Sequence, residues 1–409
     1  MIAKQLLPVV LAAAGFVSAQ SSDKCTQDTF KINSQADASG LSGCSTLKGN
    51  VVIGENSDNT IDLSGPKKID GDLQCKNNGK LITLKSSSLG EITGDFLLQN
   101  VTILSTLSMS GLTSVGSISW TSVLELQKLG FTTGLSKAKS VRIADTKIDS
   151  LDGIDMTTVA LMDINNNHRL VSFDSGLTSL TDTLNINANG AGLQVKFSKL
   201  KSVANMTISG VSSFDVPSLS TINGSCAFVE NDFKSFSAPN LTQTNSGSIL
   251  SFVSNNALTN ISLPAVTKLG GGLLIANNTA LEKIDSIPKL KQVTGDIKFR
   301  GVFNTVSMPA LDDVGGAFDV VSTENITTSC ASFDKLAPAK YVKGGNGHIQ
   351  GTYTCKGKIE NANNDTSGQT GKSGTGSDSS GNKNAAGAVT VNGLTAFGLV
   401  AVGAFFQLL

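Results

Sequence analysis

The hydrophobic and polar positions of this chain repeat about every 20 to 25 residues. Five prolines mark the repeat most clearly, at Pro217, Pro239, Pro264, Pro288 and Pro309. Each opens a phrase in which apolar residues follow at the second and, in most copies, the fifth position, and a glycine-led run comes next. Self-similarity at this period is the sequence signature of a solenoid, in which each repeat forms one turn.

The glycine-led run of each repeat predicts a short β-strand. In residues 295–299 (GDIKF) and 316–320 (GAFDV), apolar and polar residues alternate after the glycine. This period of two is typical of a strand with one buried face. The copy that begins at Pro239 carries an insertion of about two residues before Ile249.

A second part of the repeat predicts a tight corner. Asn278, Leu281 and Ile284 are spaced by three residues, a spacing that a strand cannot adopt while it keeps one face inside. We therefore expect a bend at the asparagine. A unit of one or two short strands and a corner cannot bury its apolar side alone, so successive units must stack.

The repeat continues upstream without proline, for example at Leu200–Val203 and Val141–Ile143. From about residue 50 to 325 we expect roughly a dozen coils, which at about 4.8 Å per strand layer make a solenoid some 55 to 60 Å long. A helical leucine-rich repeat is the structural alternative. The many Gly, Ser, Thr and β-branched residues leave little room for an amphipathic helix in each unit.

The six cysteines fall into three groups: Cys25 and Cys44 before the repeats, Cys330 and Cys355 after them, and Cys75 and Cys226 within them. Stacked coils touch only their neighbours, so cysteines many coils apart cannot form a disulfide. We expect each flanking pair to close a loop that caps one end of the core. Cys226 is expected to be a buried free thiol and Cys75 a second one, with exchange among Cys25, Cys44 and Cys75 left open. No Cys-x-x-Cys spacing suggests zinc, and we predict no metal or cofactor.

The first 19 residues have the features of a secretory signal peptide. Lys4 precedes an apolar stretch, and Val17-Ser-Ala19 provides a small-x-small cleavage site. The mature protein would begin near Gln20. Cysteine usage agrees with this route, since all six cysteines lie in the mature portion.

The other end of the chain predicts a glycosylphosphatidylinositol (GPI) anchor. Residues 394–409 are apolar and shorter than a usual membrane span, and no charge follows Lys383. Three small residues and a short uncharged spacer precede this tail, so we predict attachment at Asn384 and removal of residues 385–409. A retained single-pass tail is the alternative.

These features predict six segments: signal peptide 1–19, N-terminal cap 20–50, solenoid 51–325, C-terminal cap 326–360, disordered Ser/Thr/Gly-rich stalk 361–384, and anchor propeptide 385–409. The stalk lacks large apolar residues and cannot offset its ordering entropy. The secretory route makes eight sequons usable N-glycan acceptors: Asn100, Asn205, Asn223, Asn240, Asn260, Asn277, Asn325 and Asn364.

The chain resembles the fungal GPI-anchored cell-wall organisation proteins, the group that includes sporulation-specific wall proteins and has receptor-L-domain-like repeats. The resemblance covers nearly the whole chain: signal peptide, flanking cysteines, Φ-x-Pro-x-Leu-x-x-Val-x-Gly-x-Φ-x-Φ repeats, Cys330-x-x-Phe333, Tyr353-Thr-Cys355, stalk and lipid signal. It implies an all-β fold, a right-handed β-helix or leucine-rich-repeat-like solenoid with disulfide-capped ends. It also implies an extracellular protein at the outer leaflet of the plasma membrane and in the cell wall.

A wall-polysaccharide hydrolase is the enzymatic alternative, because parallel β-helices also house glycosidases with paired carboxylates. The candidate charged residues are Asp163, Asp312, Asp313, and Arg142 with Asp145. We expect each at a solvated outward position. His168 is expected in a corner and His348 in the C-terminal cap, neither near a recognisable nucleophile. We therefore predict no catalytic residues and no enzymatic activity.

The composition also limits the partners. Thirty-two basic residues balance 32 acidic ones, and no basic patch points to nucleic acid. The large polar aromatics are only Trp120, Tyr341 and Tyr353, and the 18 Phe are expected in the core, so sugar stacking is disfavoured while a hydrogen-bonding face stays open.

We expect a non-enzymatic, GPI-anchored cell-surface glycoprotein required for wall organisation and integrity. Its expected partners are wall polysaccharides or wall glycoproteins, with the membrane contacted through the GPI lipid. A receptor-like ligand-binding module and a β-helix glycosidase or transglycosylase are the alternatives. Paired carboxylates in a cleft would favour the enzyme, and exposed aromatic or charged patches on one solenoid face would favour the receptor-like module.

Overall fold

The computed structural model describes residues 24–363, which form a parallel β-solenoid of about 14 turns. The all-β solenoid expected from the repeats is thereby confirmed. The predicted signal peptide, the stalk beyond residue 363, the sequon at Asn364 and the anchor residue Asn384 lie outside the described residues.

The elements in the first half are β1 (Thr26–Ile32), α1 (Gln35–Gly40), β2 (Thr46–Ile53), β3 (Thr60–Asp62), β4 (Lys68–Asp70), β5 (Leu73–Lys76), β6 (Thr83–Ser86), β7 (Glu91–Gln99), β8 (Thr106–Met109), β9 (Ser114–Val123), β10 (Ser140–Thr146), β11 (Thr158–Asn165), β12 (Ser172–Asp174), β13 (Ser179–Asn187), β14 (Gln194–Lys196) and β15 (Ser202–Ser209). Those in the second half are β16 (Ser213–Asp215), β17 (Thr221–Ile222), β18 (Cys226–Val229), β19 (Ser235–Ser237), β20 (Gln243–Thr244), β21 (Leu250–Val253), β22 (Asn260–Ser262), β23 (Lys268–Leu269), β24 (Leu273–Ala276), β25 (Lys283–Ile284), β26 (Gln292–Val293), β27 (Ile297–Gly301), β28 (Thr305–Val306), β29 (Asp313–Val314), β30 (Phe318–Ser322), α2 (Thr327–Asp334) and β31 (Tyr353–Lys356).

The turns contribute to one long sheet, and most of them also contribute a shorter strand to a second side. Within the described residues, 21 strands join into the long parallel sheet, and the shorter strands form four small sheets: β3-β6-β8, β12-β14-β16, β19-β22 and β25-β28. The expected dozen coils were counted between residues 50 and 325. The ladder is longer because β1 at one end and β31 at the other also pair with it.

The alternating strand pattern places every second side chain in one continuous core. Ile297 and Phe299 on β27 are fully buried, while Lys298 between them is partly exposed. Phenylalanines stack along the axis as expected: the Phe228 and Phe252 rings lie 4.9 Å apart at 11°. The insertion predicted before Ile249 is confirmed, because five residues separate β20 from β21 where three separate β17 from β18.

The predicted asparagine corner is confirmed and has a defined geometry. The residue before the corner adopts a left-handed conformation in many turns, with positive φ at Asn77, Asn100, Ser122, Asp145, Asn166, Ala188, Glu230, Ser254 and Asn277. The next residue points inward, and Asn231, Asn255 and Asn278 are buried there. Their amides bond to backbone groups and to one another across turns, which satisfies polar groups that burial would otherwise penalise.

Glycine occurs in the strands of the long sheet where the backbones of successive turns approach closely. A Cβ added to Gly116 would lie 2.5 Å from the Thr93 carbonyl oxygen and 2.6 Å from that of Gly94. Gly94 is itself stacked on Gly71 of the turn before. The glycine-led run that predicted a strand therefore also marks a backbone contact between turns.

Two disulfides lie near the ends, as expected. Cys25 and Cys44 are joined at the N-terminal end, with Cα atoms 5.6 Å apart, and Cys330 and Cys355 at the C-terminal end, with Cα atoms 5.5 Å apart. Cys75 and Cys226 are buried free thiols, so the exchange left open for Cys75 does not occur. Helix α1 lies between the two cysteines of the first disulfide, and Cys330 of the second disulfide is part of α2. Ser34 and Asp37 form a capping box on α1.

Candidate functional site

A shallow groove crosses four consecutive turns on the side of the solenoid that carries the short sheets. It has a volume of about 420 Å³ and is lined by residues 150–152 and by strands β12, β14 and β16. The three strands pair in parallel without a register shift. Equivalent side chains therefore form straight rows across the turns.

Two rows of polar side chains border the groove. The first row is Ser172, Gln194 and Ser213, and the second is Asp174, Lys196 and Asp215. All six are exposed, whereas the residue between the rows on each strand is buried in the core. The floor is consequently strand backbone, and the functional groups stand on a rigid ladder rather than on a loop.

The charges in the groove are mixed, with acidic groups in excess. Asp152, Asp174 and Asp215 face one basic residue, Lys196. The Lys196 Nζ lies 4.0 Å from Asp174 Oδ2, and both side chains are more than half exposed. An exposed pair at this distance contributes little to stability, so both groups are available to a ligand.

The groove residues were not predicted as a site from the sequence, although the sequence carried a signal. The tripeptide Ser-Phe-Asp occurs at 172–174 and again two turns later at 213–215. Polar residues at both exposed positions of equivalent strands indicate an outward row that repeats from turn to turn. The signal was missed because its significance depends on which strands are neighbours.

The expectation that Asp163 is solvated was wrong. Asp163 lies on the outer face of the long sheet but is only 6 % exposed. Its Oδ1 accepts hydrogen bonds of 2.8 Å from the side-chain amides of Asn165 and Asn185, and its Oδ2 lies 3.2 Å from Arg142 Nε. The surrounding long side chains therefore bury this carboxylate and also satisfy its hydrogen-bonding capacity.

Arg142 therefore pairs with Asp163 rather than acting together with Asp145. The Asp145 carboxylate instead accepts a 2.9 Å hydrogen bond from Ser122 Oγ, one turn away. Both residues adopt positive φ at the left-handed corner. These contacts follow from the register between turns.

The two carboxylates near the C-terminal end also have protein partners. Asp312 is exposed, and its Oδ1 lies 3.0 Å from Nδ1 of His348, which reaches it from the C-terminal cap. Asp313 Oδ2 accepts a 2.8 Å hydrogen bond from Gln292 Nε2. His168, by contrast, is exposed immediately after the buried corner residue Asn167.

Seven of the eight predicted glycan acceptors lie within the described residues. Five are exposed and two, Asn260 and Asn277, are partly exposed. Six of the seven fall between residues 205 and 325. Asn205 and Asn223 lie on the side of the long sheet, next to Gly224, one of the glycines at which neighbouring turns approach closely. The strands that form the groove contain no sequon. Glycan attachment at these asparagines stays a prediction.

The long sheet has a different outer face from the groove. On β18, β21 and β24 its outward positions include Ala227, Val229, Val253, Leu274 and Ala276. The outer face is weakly polar at these three strands, whereas Arg142 and Asp163 lie on β10 and β11 of the same sheet. Asn205 and Asn223 lie at its border, so glycans there would cover part of it.

Three features of the described residues bear on other functions. Residues 24–363 contain no cluster of three or more potential metal-ligating side chains. Among the helices of this same region, none is long and apolar enough to span a membrane. Trp120 is fully buried against Phe96 and Phe131, so it forms no surface platform.

The fold and surface define a disulfide-capped β-solenoid with leucine-rich-repeat-like units, a class of protein that presents extended faces built from stacked repeats. Comparison with known proteins identifies the family. Residues 1–42 match the family model "Ecm33: GPI-anchored cell wall organization protein". The chain belongs to this family of fungal cell-wall proteins, because similarity to its relatives extends over most of the chain.

The chain is 41 % identical to protein ecm33 of Aspergillus fumigatus over 86 % of its own length and 85 % of that protein. It is 36 % identical to a cell surface GPI-anchored protein of Arthroderma benhamiae over 99 % of both chains. It is 32 % identical to sporulation-specific protein 2 of Saccharomyces cerevisiae over 84 % of its length and 68 % of that protein. No solved structure is significantly similar to the chain.

Family membership confirms two expectations. The resemblance to fungal GPI-anchored cell-wall organisation proteins is correct. The protein is a GPI-anchored protein of the cell surface and cell wall, and its role concerns the wall.

Proposed function

We propose that the protein is a non-enzymatic scaffold that maintains the organisation and integrity of the fungal cell wall from its lipid anchor. The observation that carries this proposal is the uninterrupted ladder of about 14 turns. Stacked turns share backbone hydrogen bonds, buried asparagines and a single core, so the molecule is a stiff rod. A stiff rod with wide faces can hold other wall components at fixed positions relative to the membrane.

The carboxylates singled out from the sequence support a non-enzymatic role, whereas the groove brings Asp152, Asp174 and Asp215 together, the feature expected of the enzymatic alternative. A glycosidase needs two carboxyl groups placed on either side of a bound glycosidic bond. Here Asp163 is engaged by Arg142 and two asparagines, Asp313 by Gln292, and Asp312 by His348. The buried Asp163 stabilises the solenoid surface through these contacts, whereas the exposed pair of Asp312 and His348 contributes little.

The proposed partners are wall polysaccharides or wall glycoproteins. The mixed donor and acceptor groups in the groove and the broad outer faces both support contact with glycans. A receptor-like role for a secreted protein ligand is the second candidate. The observation that favours it is the partly exposed apolar surface at β18, β21 and β24, although this is not the aromatic or charged patch expected from the sequence.

The experiment that tests the proposal uses the mature protein released from fungal cells by cleavage of its lipid. It is incubated with insoluble β-glucan, chitin and mannoprotein fractions of the wall, and both protein retention and released oligosaccharides are measured. Retention without sugar release is expected. Release or rearrangement of sugar would overturn the non-enzymatic claim, and failure to bind any fraction would favour the receptor-like candidate.

A further inference from the structure

We propose that the groove over β12, β14 and β16 binds an extended, neutral polysaccharide through its hydroxyl groups. The inference rests on the proposed wall function and names the surface and the ligand class. It begins from the groove's position on stacked strands, whose spacing along the solenoid axis is about 4.8 Å. A ligand that repeats its own functional groups along an extended chain fits a site that repeats its side chains from turn to turn.

The chemistry of the side chains suits hydroxyl groups. A sugar hydroxyl both donates and accepts hydrogen bonds, as a serine hydroxyl does. The carboxylates of Asp174 and Asp215 accept only, the Lys196 ammonium donates only, and the Gln194 amide does both. Neighbouring hydroxyls on one sugar ring can therefore find complementary partners in adjacent turns.

The charge of the groove narrows the ligand class. Three aspartates and one lysine give a formal charge of −2 among the lining residues. A phosphorylated or otherwise anionic glycan would meet net repulsion there. A neutral polymer avoids this penalty, while its hydroxyls still gain charge-assisted hydrogen bonds, which are stronger than those between neutral groups.

The position of the sequons supports access to the groove. The four lining segments are 150–152, 172–174, 194–196 and 213–215, and none contains a glycan acceptor. The weakly polar part of the outer face of the long sheet has Asn205 and Asn223 at its border. Asn260 lies on the same side as the groove, on β22, two turns beyond β16, so glycans would leave only the four turns of the groove itself open to a polymer.

The groove is also preorganised. Its side chains project from strands whose inner residues, Phe173, Val195 and Phe214, are at most 5 % exposed and anchor the backbone in the core. A site held in this way loses little conformational freedom when a ligand binds. Several modest hydrogen bonds can then add up to useful affinity along a repeating polymer.

The test compares two charge-neutral double substitutions in the mature protein. D174A/K196A removes both members of the groove pair. The control K68A/E91A removes a similar pair, with Lys68 Nζ 3.3 Å from Glu91 Oε2, on β4 and β7 of the long sheet. Retention is measured on insoluble β-glucan, chitin and mannoprotein fractions, with circular dichroism confirming that each variant is folded.

We expect D174A/K196A to bind at least one neutral polysaccharide about tenfold more weakly, and K68A/E91A to bind like the wild type. A second variant, Q194N/K196T, places a new glycan acceptor in the centre of the groove, and its glycosylated form should also lose binding. Because the ligand is neutral, raising the salt from about 0.1 M to 0.5 M should change wild-type retention little.

The outcomes separate the inference from the proposed function. If the wild type is retained and all groove variants are retained equally, the groove assignment is wrong while the scaffold proposal stands. If only the mannoprotein fraction retains the wild type, the polysaccharide inference is overturned in favour of a glycoprotein partner. If no fraction retains it, both are overturned.

Discussion

The side-chain oxygen of Asn278 accepts two hydrogen bonds from Asn255, which lies one turn earlier. The Oδ1 of Asn278 accepts hydrogen bonds from the Asn255 backbone N–H at 2.9 Å and from its side-chain Nδ2 at 3.0 Å. Asn255 repeats this relationship toward Asn231 and also donates to the Phe228 carbonyl oxygen at 3.0 Å. The corner is therefore a ladder of amides that couples three turns.

Substitution of Asn255 by alanine should destabilise the solenoid strongly. The change leaves two donors of Asn231 and the Phe228 carbonyl without their partner in a buried site, at about 1 to 3 kcal/mol for each unsatisfied group. We expect a total loss of about 3 kcal/mol or more, measured as a lower urea midpoint. Asn187→Ala, at an exposed asparagine on β13, is the control and should shift the midpoint little. Equal shifts would show that the ladder is not a main source of stability.

Substitution of Gly116 by alanine should also destabilise the protein. Its new methyl group would lie within 2.6 Å of two carbonyl oxygens in the preceding turn, and backbone atoms cannot move aside as a flexible side chain can. We expect a loss of about 1 to 3 kcal/mol, the usual range for overpacking. Gly176→Ala is the matched control, since a Cβ at Gly176 has no atom within 4 Å among the described residues. Thermal unfolding of both variants distinguishes close approach from a general effect of losing glycine.

Removal of the C-terminal disulfide should loosen that end of the rod first. Cys330 and Cys355 close a loop with a sequence separation of 25 residues. The chain-entropy model assigns such a loop about 3.5 kcal/mol of stabilisation. For Cys330→Ala/Cys355→Ala we expect faster hydrogen exchange in β30 and β31 than in β18, which lies many turns away. Uniformly faster exchange along the whole rod would contradict local capping.

Ionisation of the Cys75 thiol in the unfolded chain should make the protein less stable at alkaline pH. Burial raises the pKa of its thiol from 9.0 to about 12. Below about pH 9 the thiol is protonated in both folded and unfolded chains, so its contribution is fully present. Between about pH 9 and pH 12 the unfolded chain ionises while the folded one does not, and stability falls by about 1.4 kcal/mol per pH unit from this group.

The measurement compares melting temperatures at pH 8 and pH 10 for the wild type and Cys75→Ala. The variant should lose less stability than the wild type between the two values. Other groups that titrate in this window are shared by both proteins and cancel in the comparison. An identical loss in both proteins would mean that Cys75 is accessible to water in the folded state.

The sequence by itself determined the solenoid. The proline spacing, the alternation in runs such as 295–299 and the asparagine at the corner all reflect local requirements of each turn, and repetition made these local signals unmistakable. The same logic identified the disulfide-capped ends, because cysteines in a stacked rod can reach only nearby turns. The signal-peptide, stalk and anchor boundaries, the sequon occupancy and the lack of enzymatic activity stay predictions.

Only the tertiary structure decided which side chains of neighbouring turns lie next to each other. The sequence placed Asp163 at an outward position and so predicted that it is solvated. Its carboxylate is buried because the side chains of Arg142, Asn165 and Asn185 cover it. The groove was missed for the same reason, since Asp174 and Lys196 become neighbours through the register of β12 and β14. The local pattern determines which side of a strand a residue faces. The stacking of turns determines which residues it contacts, how deeply it is buried and which charges surround it.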